Sequence, residues 1–338
     1  ASLERTSFDP AASPREVVEE ARIRRLAGGI DAAARLVFVN GVFAPGLSST
    51  SDFATNLAAA LEARPAEVEP LLAREGEEGA FVALNTAFFR DGAFVRIPEG
   101  AAIEAPIHLL FVTAAAAEPP TAHPRNLILA GRGSRARILE HYVDFGPGPS
   151  FTNAVTDCLA GEGASIEREK LLEEGEEAFH FSRFRARPGR DARFASHALL
   201  LGGGLVRDEV EALLDAEGID CTVNGLYVVG GRRHVDNQTR IDHARPGCTS
   251  RELYKGILDG EGRGVFEGTI LVRPDAQRTN AHQSNRNLLL SENALATTRP
   301  ILEIRADDVR CKHGATIGPL EEAPLFYLRS RGVGREEA

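Results

Sequence analysis

Residues 130–138 read AGRGSRARI, and the same cadence returns as AGEGASIER (160–168), ARPGRDARF (186–194), DAEGIDCTV (215–223), DGEGRGVFE (259–267) and SENALATTR (291–299). In each, a turn rich in glycine, aspartate or asparagine feeds a short run of strand-forming residues. The markers Gly133, Gly163, Gly189, Gly218, Gly262 and Asn293 follow one another at intervals of roughly 30 residues, a period typical of solenoids. The interval from Gly218 to Gly262 is the long one, and it is expected to hold an extra rung. A turn-strand unit that returns at such intervals cannot bury its own apolar face. Stacking successive units buries a continuous core, which is how solenoids and β-helices are built. The alternative is a double-sheet sandwich or a cupin-like barrel, but those favour strand spacings of about 8 to 12 residues without this longer echo. The pattern therefore favours a β-helix.

The strand texture begins near Phe94 and is carried by FVRIP (94–98), IHLLFV (107–112), NLILA (126–130), LYVVG (226–230) and TILV (269–272). Before it, the chain reads mostly as helix. Ser13 as N-cap, Pro14 at the first helical position and Glu16 closing a capping box predict a helix over 13–28, stopped by Gly28-Gly29. Residues 51–75 predict one or two short helices broken near Pro65, and residues 79–89 predict another. LVFVNGVFAP (36–45) predicts a hairpin turning at Asn40-Gly41. The tail EEAPLFYLRSRGVGREEA (321–338) begins like a helix and is expected to be cut short. These readings give three regions: 1–90 mostly helical, 91–320 the β core, and 321–338 the start of a C-terminal helical region.

Composition narrows the function classes. The chain has 338 residues, 43% of them hydrophobic, enough for a large core. A formal charge of -10 with no basic run argues against nucleic acid and anionic membranes as partners. Neither a membrane-length apolar run nor a secretion signal is present, so a cytoplasmic protein is expected, and the Asn237-Gln238-Thr239 sequon is set aside. The missing start methionine predicts a fragment of a longer chain. Lysine occurs only at 170, 255 and 312, and arginine supplies the rest of the positive charge. With no C-x-x-C, Cys158, Cys221 and Cys248 are expected to be small buried hydrophobes.

Several motifs imitate sites. Gly131-Arg132-Gly133 with Ala136 resembles a dinucleotide fingerprint but lacks the helix that should open next, and Gly202-Gly203-Gly204 lacks the end of a phosphate loop; both are read as turns. His234, Asp236, Asp242, His243 and Cys248 crowd into one short segment without a known metal spacing. His282 sits in a polar stretch expected to form an amide ladder between rungs. No serine or cysteine nucleophile with a paired base declares itself. Cys311 and His313 are the strongest candidates. On a strand, side chains at i and i+2 leave the same face roughly 6.6 Å apart, with Lys312 opposite. Residue chemistry alone leaves a structural pair at a turn as the commoner reading, and two ligands fall short of the four that zinc or an iron–sulfur cluster generally takes. A metal role needs ligands from a neighbouring strand or another chain.

The order of GRRHVDNQTRIDHARPGCTSRELYKGIL (231–258), VFEGTILV (265–272), AQRTNAHQSNRNLLLS (276–291), TTRPILEIRADDVRCKHGATIGPL (297–320) and LFYLRSRGV (325–333) resembles the SufB/SufD family of SUF iron–sulfur cluster assembly proteins, in its SufD-type form. ALNTAFFRDGAFVRIP (83–98) is similar too, and the resemblance covers most of the chain, more weakly before residue 80. It implies a right-handed parallel β-helix core with a helical N-terminal region and a truncated C-terminal helical region. It implies an accessory scaffold subunit, not an enzyme by itself, that contributes to cluster formation and iron acquisition at its interface with SufB. The ATPase, SufC, is a separate chain that docks on the C-terminal region, and the chain alone is expected to form a homodimer. Asn285 stands where SufB-like proteins carry a cysteine, and CKHGAT (311–316) is the SufD-type form. His313, and with it Cys311, is implied to be half of a cofactor or metal site shared with SufB, binding iron or a cluster transiently and nothing tightly in the isolated chain. A polysaccharide-active β-helix enzyme and a self-contained metal-binding protein are the competing classes.

Overall fold

The computed structural model describes residues 6–8, 20–72, 79–114, 116, 118–319, 322–334 and 337. Ser13, Pro14 and Glu16 lie outside them, and the first described helix is α1 (Glu20–Gly28). Strands β1 (Ala34–Val39) and β2 (Val42–Phe43) form the expected hairpin. Its two-residue turn holds Asn40 at φ 48° and Gly41 at φ 77°, the positive values such a turn requires. After β3 (Ala54–Asn56), helices α2 (Leu57–Ala63) and α3 (Pro65–Leu72) are separated at Arg64. Pro65 opens the second of them, where a missing N–H is harmless. Helix α4 is Ala80–Phe88.

Strand then dominates, as expected. The order continues with β4 (Ala93–Ile97), β5 (Ile107–Thr113), β6 (Thr121–Ala122), β7 (Arg125–Ala130), β8 (Arg135–Asp144), β9 (Ser150–Ala160) and β10 (Ser165–Glu173). It goes on through β11 (Ala178–Pro188), β12 (Arg193–Leu200), β13 (Leu205–Leu214), β14 (Asp220–Val229) and β15 (His234–His243). The last are β16 (Thr249–Leu258), β17 (Arg263–Val272), β18 (Thr279–Leu289), β19 (Leu295–Ile304) and β20 (Val309–Pro319), followed by helix α5 (Glu322–Ser330).

From β7 onward, consecutive strands alternate between two sheets. One runs β2-β1-β5-β8-β10-β12-β14-β16-β18-β20 and the other β19-β17-β15-β13-β11-β9-β7-β4-β3. Neighbours are parallel except at the hairpin and at the β3–β4 pair. The fold is a parallel β-solenoid of about eight turns. In the first sheet Arg135 pairs with Ser165, Ser165 with Arg193, Arg193 with Asp220, Asp220 with Thr249 and Thr249 with Asn280. Each coil is therefore nearly constant in length, at roughly 30 residues, as a stacked repeat requires. The long step in the sequence repeat is not one extra rung. Gly133, Gly163, Gly189 and Gly218 lie in turns before strands of the first sheet, whereas Gly262 and Asn293 lie before β17 and β19 of the second. The interval from Gly218 to Gly262 holds β14, β15 and β16, one and a half coils, because the marker changes from one line of turns to the other.

The apolar core runs between the sheets, and alternation sets what enters it. Helices coat the outer faces of the early rungs instead. Ile23 and Ala27 of α1 pack on Val37, Val39, Leu110 and Val112 of the first sheet. Leu57, Ala60 and Val68 pack on Phe94 and Leu127 of the second. The N-terminal segment also enters the solenoid itself: β1 pairs parallel with β5 from Ala34 to Val39. One end of the stack thus closes on the antiparallel strands β2 and β3. The other ends on β19 and β20, with Leu295, Ile304 and Ile317 exposed.

In-register stacking makes side-chain volume a matter between neighbouring rungs. Tyr254 faces Gly225 and Tyr227 faces Gly256 across β14 and β16, so each buried ring lies over a residue with no Cβ. A methyl at Gly225 would fall well inside contact with the Tyr254 ring, which is closed in on all sides. Gly225→Ala is expected to lower stability by about 1–3 kcal/mol. Gly28→Ala, at an open position at the end of α1, is expected to be neutral or slightly stabilising. Paired thermal or denaturant melts check both.

Candidate functional site

Cys311 and His313 lie on β20, the last strand of the first sheet. Cys311 pairs with Ala281 and His313 with Gln283 of β18, both of which are buried inward-facing residues, while Lys312 pairs with His282 on the outer face. The common face expected of the pair is therefore the face that points into the solenoid. Because no further rung covers them among the described residues, Cys311 is only partly buried against the core and His313 is exposed. Burial pushes the Cys311 thiol up, partly offset by the Ala281 backbone, so it stays protonated until a ligand displaces the proton. His313 makes no side-chain hydrogen bond or ion pair among the described residues, so it does not tie a turn.

Beneath His313 runs a column of in-register positions: Gln283, then Glu252, then Val223 and Ser196. The Gln283 side-chain amide donates to Glu252 Oε2 at 2.7 Å. Gln283 Oε1 and Glu252 Oε1 are buried with no hydrogen-bond partner among the described residues. Full burial raises the Glu252 carboxyl to about 7, against the pull of hydrogen bonding. A protonated Glu252 could donate from the oxygen that otherwise has no partner. The open rung thus sits on a carboxyl that titrates near neutrality.

Deeper in the solenoid lies a charged interior that the sequence reading missed. Arg168 makes a forked pair with Glu140 at 3.2 and 3.0 Å. Lys170 reaches across to Asp208 of the opposite sheet at 2.7 Å. His180 Nδ1 lies 3.0 Å from Glu174, and its Nε2 lies 3.0 Å from the Lys170 ammonium. That ammonium donates to Nε2, which leaves the imidazole neutral, and burial with the nearby cation lowers the His180 pKa. Burial alone would raise Asp208, but Lys170 and Arg168 outweigh it and hold the carboxyl down at about 2. One signal was present in the sequence: in SIEREKLLE, Arg168 and Lys170 stand in phase with Ile166 and Leu172, and all four are buried.

The other candidates do not converge on a site. Asp236 pairs with Arg207, Asp242 accepts from Nε and one Nη of Arg273 at 2.9 and 2.8 Å, and buried His243 lies 2.9 Å from Ser250 with its pKa lowered to about 4 by burial. Cys158, Cys221 and Cys248 are buried free thiols, as expected of small hydrophobes; burial pushes Cys158 up to about 12. The amide ladder expected around His282 does not form. Gln283 bonds a carboxylate, and Asn285 donates to Tyr227 Oη and Tyr254 O, each at 3.3 Å, and accepts from Asn287 of its own strand at 2.6 Å. Gly131–Gly133 is a turn that leads into β8, and Gly202–Gly204 is an irregular connection that leads into β13. Among the described residues no group of three or more histidine, cysteine or acidic side chains could hold a metal ion. Nor is any described helix long and apolar enough to cross a membrane.

By sequence, the chain that folds into this solenoid matches one class of protein, the components of iron–sulfur cluster assembly. Residues 111–338 match the family described as SUF system FeS cluster assembly, SufBD core domain, and residues 32–109 match the SufBD protein N-terminal region. The chain belongs to the SufBD family, and through it has a role in iron–sulfur cluster assembly. It is 34% identical over 320 residues to an iron–sulfur cluster assembly SufBD family protein of Synechocystis, covering 90% of this chain and 70% of that one. It is 31% identical over 306 residues to the iron–sulfur cluster assembly protein SufD of Escherichia coli, covering 90% and 71%. The SufD of Bacillus subtilis is 28% identical over 277 residues, covering 80% and 63%.

Glu252 generates a pH dependence. Between the ordinary carboxyl value of 4.5 and the folded value of about 7, the native state keeps a proton that the unfolded chain has released. Stability therefore falls as pH rises through that window and stays lower above it. Glu252→Gln is expected to flatten this slope and to be more stable than the parent at pH 8 by as much as about 3 kcal/mol. Denaturant melts of both proteins across the window measure it.

Proposed function

We propose that the chain is a non-catalytic accessory scaffold subunit of a SUF assembly complex, and that its uncovered last rung supplies half of a site whose other half comes from a SufB chain. The observation that carries this reading is the placement of Cys311 and His313. They share the inward face of a strand whose outer edge has no neighbour among the described residues, so a second chain that adds a strand there would bring its own side chains over both. Two donors from this chain fit a shared site better than a self-contained one. The cluster or its iron is cargo of that site, held transiently rather than by the isolated chain. SufC is assigned to the C-terminal helical region that contains α5, and the complex to the cytoplasm.

The exposed position of His313 separates function from stability. His313→Ala is expected to abolish cluster formation in the reconstituted complex while shifting the stability of the chain by no more than about 0.5 kcal/mol. His313→Asn, which keeps a hydrogen-bonding side chain but is a poor ligand for iron and cannot titrate near neutrality, is expected to melt like the parent and fail in the same assay. Normal cluster assembly by His313→Asn would remove the required role.

The open edge also drives association. In the absence of SufB, two copies are expected to pair through the segment 282–318, where Leu295, Ile304 and Ile317 are exposed. Sedimentation equilibrium should report a dimer of the 36.3 kDa chain. A monomer at high micromolar concentration contradicts it.

A further inference from the structure

On the outer face of the second sheet, far along the chain from Cys311 and His313, a cleft of about 420 Å³ opens over β11, β13 and β15. Arg183, Arg185 and Arg187 leave β11 on one face at successive i+2 positions, and Arg240 and Arg273 approach from the rungs beyond. The carboxylates at the cleft are already engaged. Glu211 is held by Arg183 at 2.7 Å and Asp242 by the fork of Arg273. Asp157, one strand further, is shared by Arg125 at 3.1 Å and Arg185 at 3.5 Å.

Two guanidinium groups of the cleft remain. Arg187 makes no ion pair among the described residues, and its Nε is buried without a hydrogen-bond partner beside Leu159 of the adjoining strand. The Arg240 side chain is exposed and likewise makes no hydrogen bond or ion pair among the described residues. In a chain whose formal charge is -10, this is a local reversal of sign backed by a desolvated donor. We propose that the cleft between Arg187 and Arg240 binds a small phosphorylated anion.

The geometry favours phosphate over carboxylate. Strands β11 and β15 are separated by β13, and Arg240 is in register with Arg185, two residues before Arg187, so the Arg187 and Arg240 side chains spring from backbone positions about 12 Å apart and converge over the cleft. A carboxylate has two oxygens and is filled by one fork, as Arg273 fills Asp242. A phosphoryl group has three terminal oxygens and can take forks from two strands at once, and a diphosphate extends that reach. The volume suits a ligand of small-molecule size. Nothing in the proposed half-site at β20 requires this cleft, so the two readings stand or fall separately.

Isothermal titration of the full chain with inorganic pyrophosphate, with succinate as the carboxylate control, tests the assignment. Pyrophosphate is expected to bind saturably at one site and more weakly as salt rises, and succinate to bind at least about tenfold more weakly. Arg187→Gln and Arg240→Gln should each weaken pyrophosphate about tenfold. Arg232→Gln, at a side chain 90% exposed on another rung, should leave binding unchanged. Because Arg240 is exposed, its variant keeps the test valid even if Arg187→Gln fails to fold. Equal affinity in parent and Arg240→Gln protein, no saturable heat with pyrophosphate, or succinate binding as tightly as pyrophosphate overturns the proposal.

Discussion

The fold depends on parallel pairing held in register from rung to rung. Where Arg135, Ser165, Arg193, Asp220, Thr249 and Asn280 stack in one line, every inward position meets the same kind of position above and below it. A shift of one residue in any rung would turn its inward set to solvent. Each inward side chain must therefore suit a neighbour about 4.8 Å away along the stack rather than one near in sequence. Tyr254 over Gly225 and Tyr227 over Gly256 meet that demand with volume. Gln283 over Glu252 meets it with a hydrogen bond.

The same constraint explains how charge survives inside. Removing a buried charge from its partner is costly, so inward cations are found with inward anions. Arg168 is matched by Glu140 on the adjoining rung, whereas Lys170 is matched by Asp208 from the opposite sheet. The second pair ties the two sheets together across the core. These pairs lie in the middle rungs, well covered on both sides. Towards the uncovered end the interior turns to amides and the raised carboxyl of Glu252, and beyond them solvent or another chain can reach the last rung.

The two ends of this solenoid differ. At one end the rungs give way to the short antiparallel strands β2 and β3, whereas at the other the full-length strands β19 and β20 have no further neighbour among the described residues. Here that end carries Cys311, His313 and the exposed side chains of Leu295, Ile304 and Ile317, so the edge and the donor groups coincide. The edge gives a partner a place to add strand, and the donors give it something to complete.

Local sequence was enough for the elements and the class of fold. The turn at Asn40-Gly41, the break at Arg64-Pro65 and the return of glycine turns once per coil act through backbone torsions and alternation, which reach only a short way along the chain. The spacing of Cys311 and His313 placed both on one face for the same reason. Which face that was, and that it stood uncovered, could not be read from the motif, because both depend on Ala281 and Gln283 one coil earlier and on the absence of a following rung in the described stack. The step from Gly218 to Gly262 misled because two lines of turns use the same residue types, and only pairing tells them apart. Lys170 and Asp208 stand 38 residues apart on different sheets, and an ion pair at that separation is decided by how the coils stack.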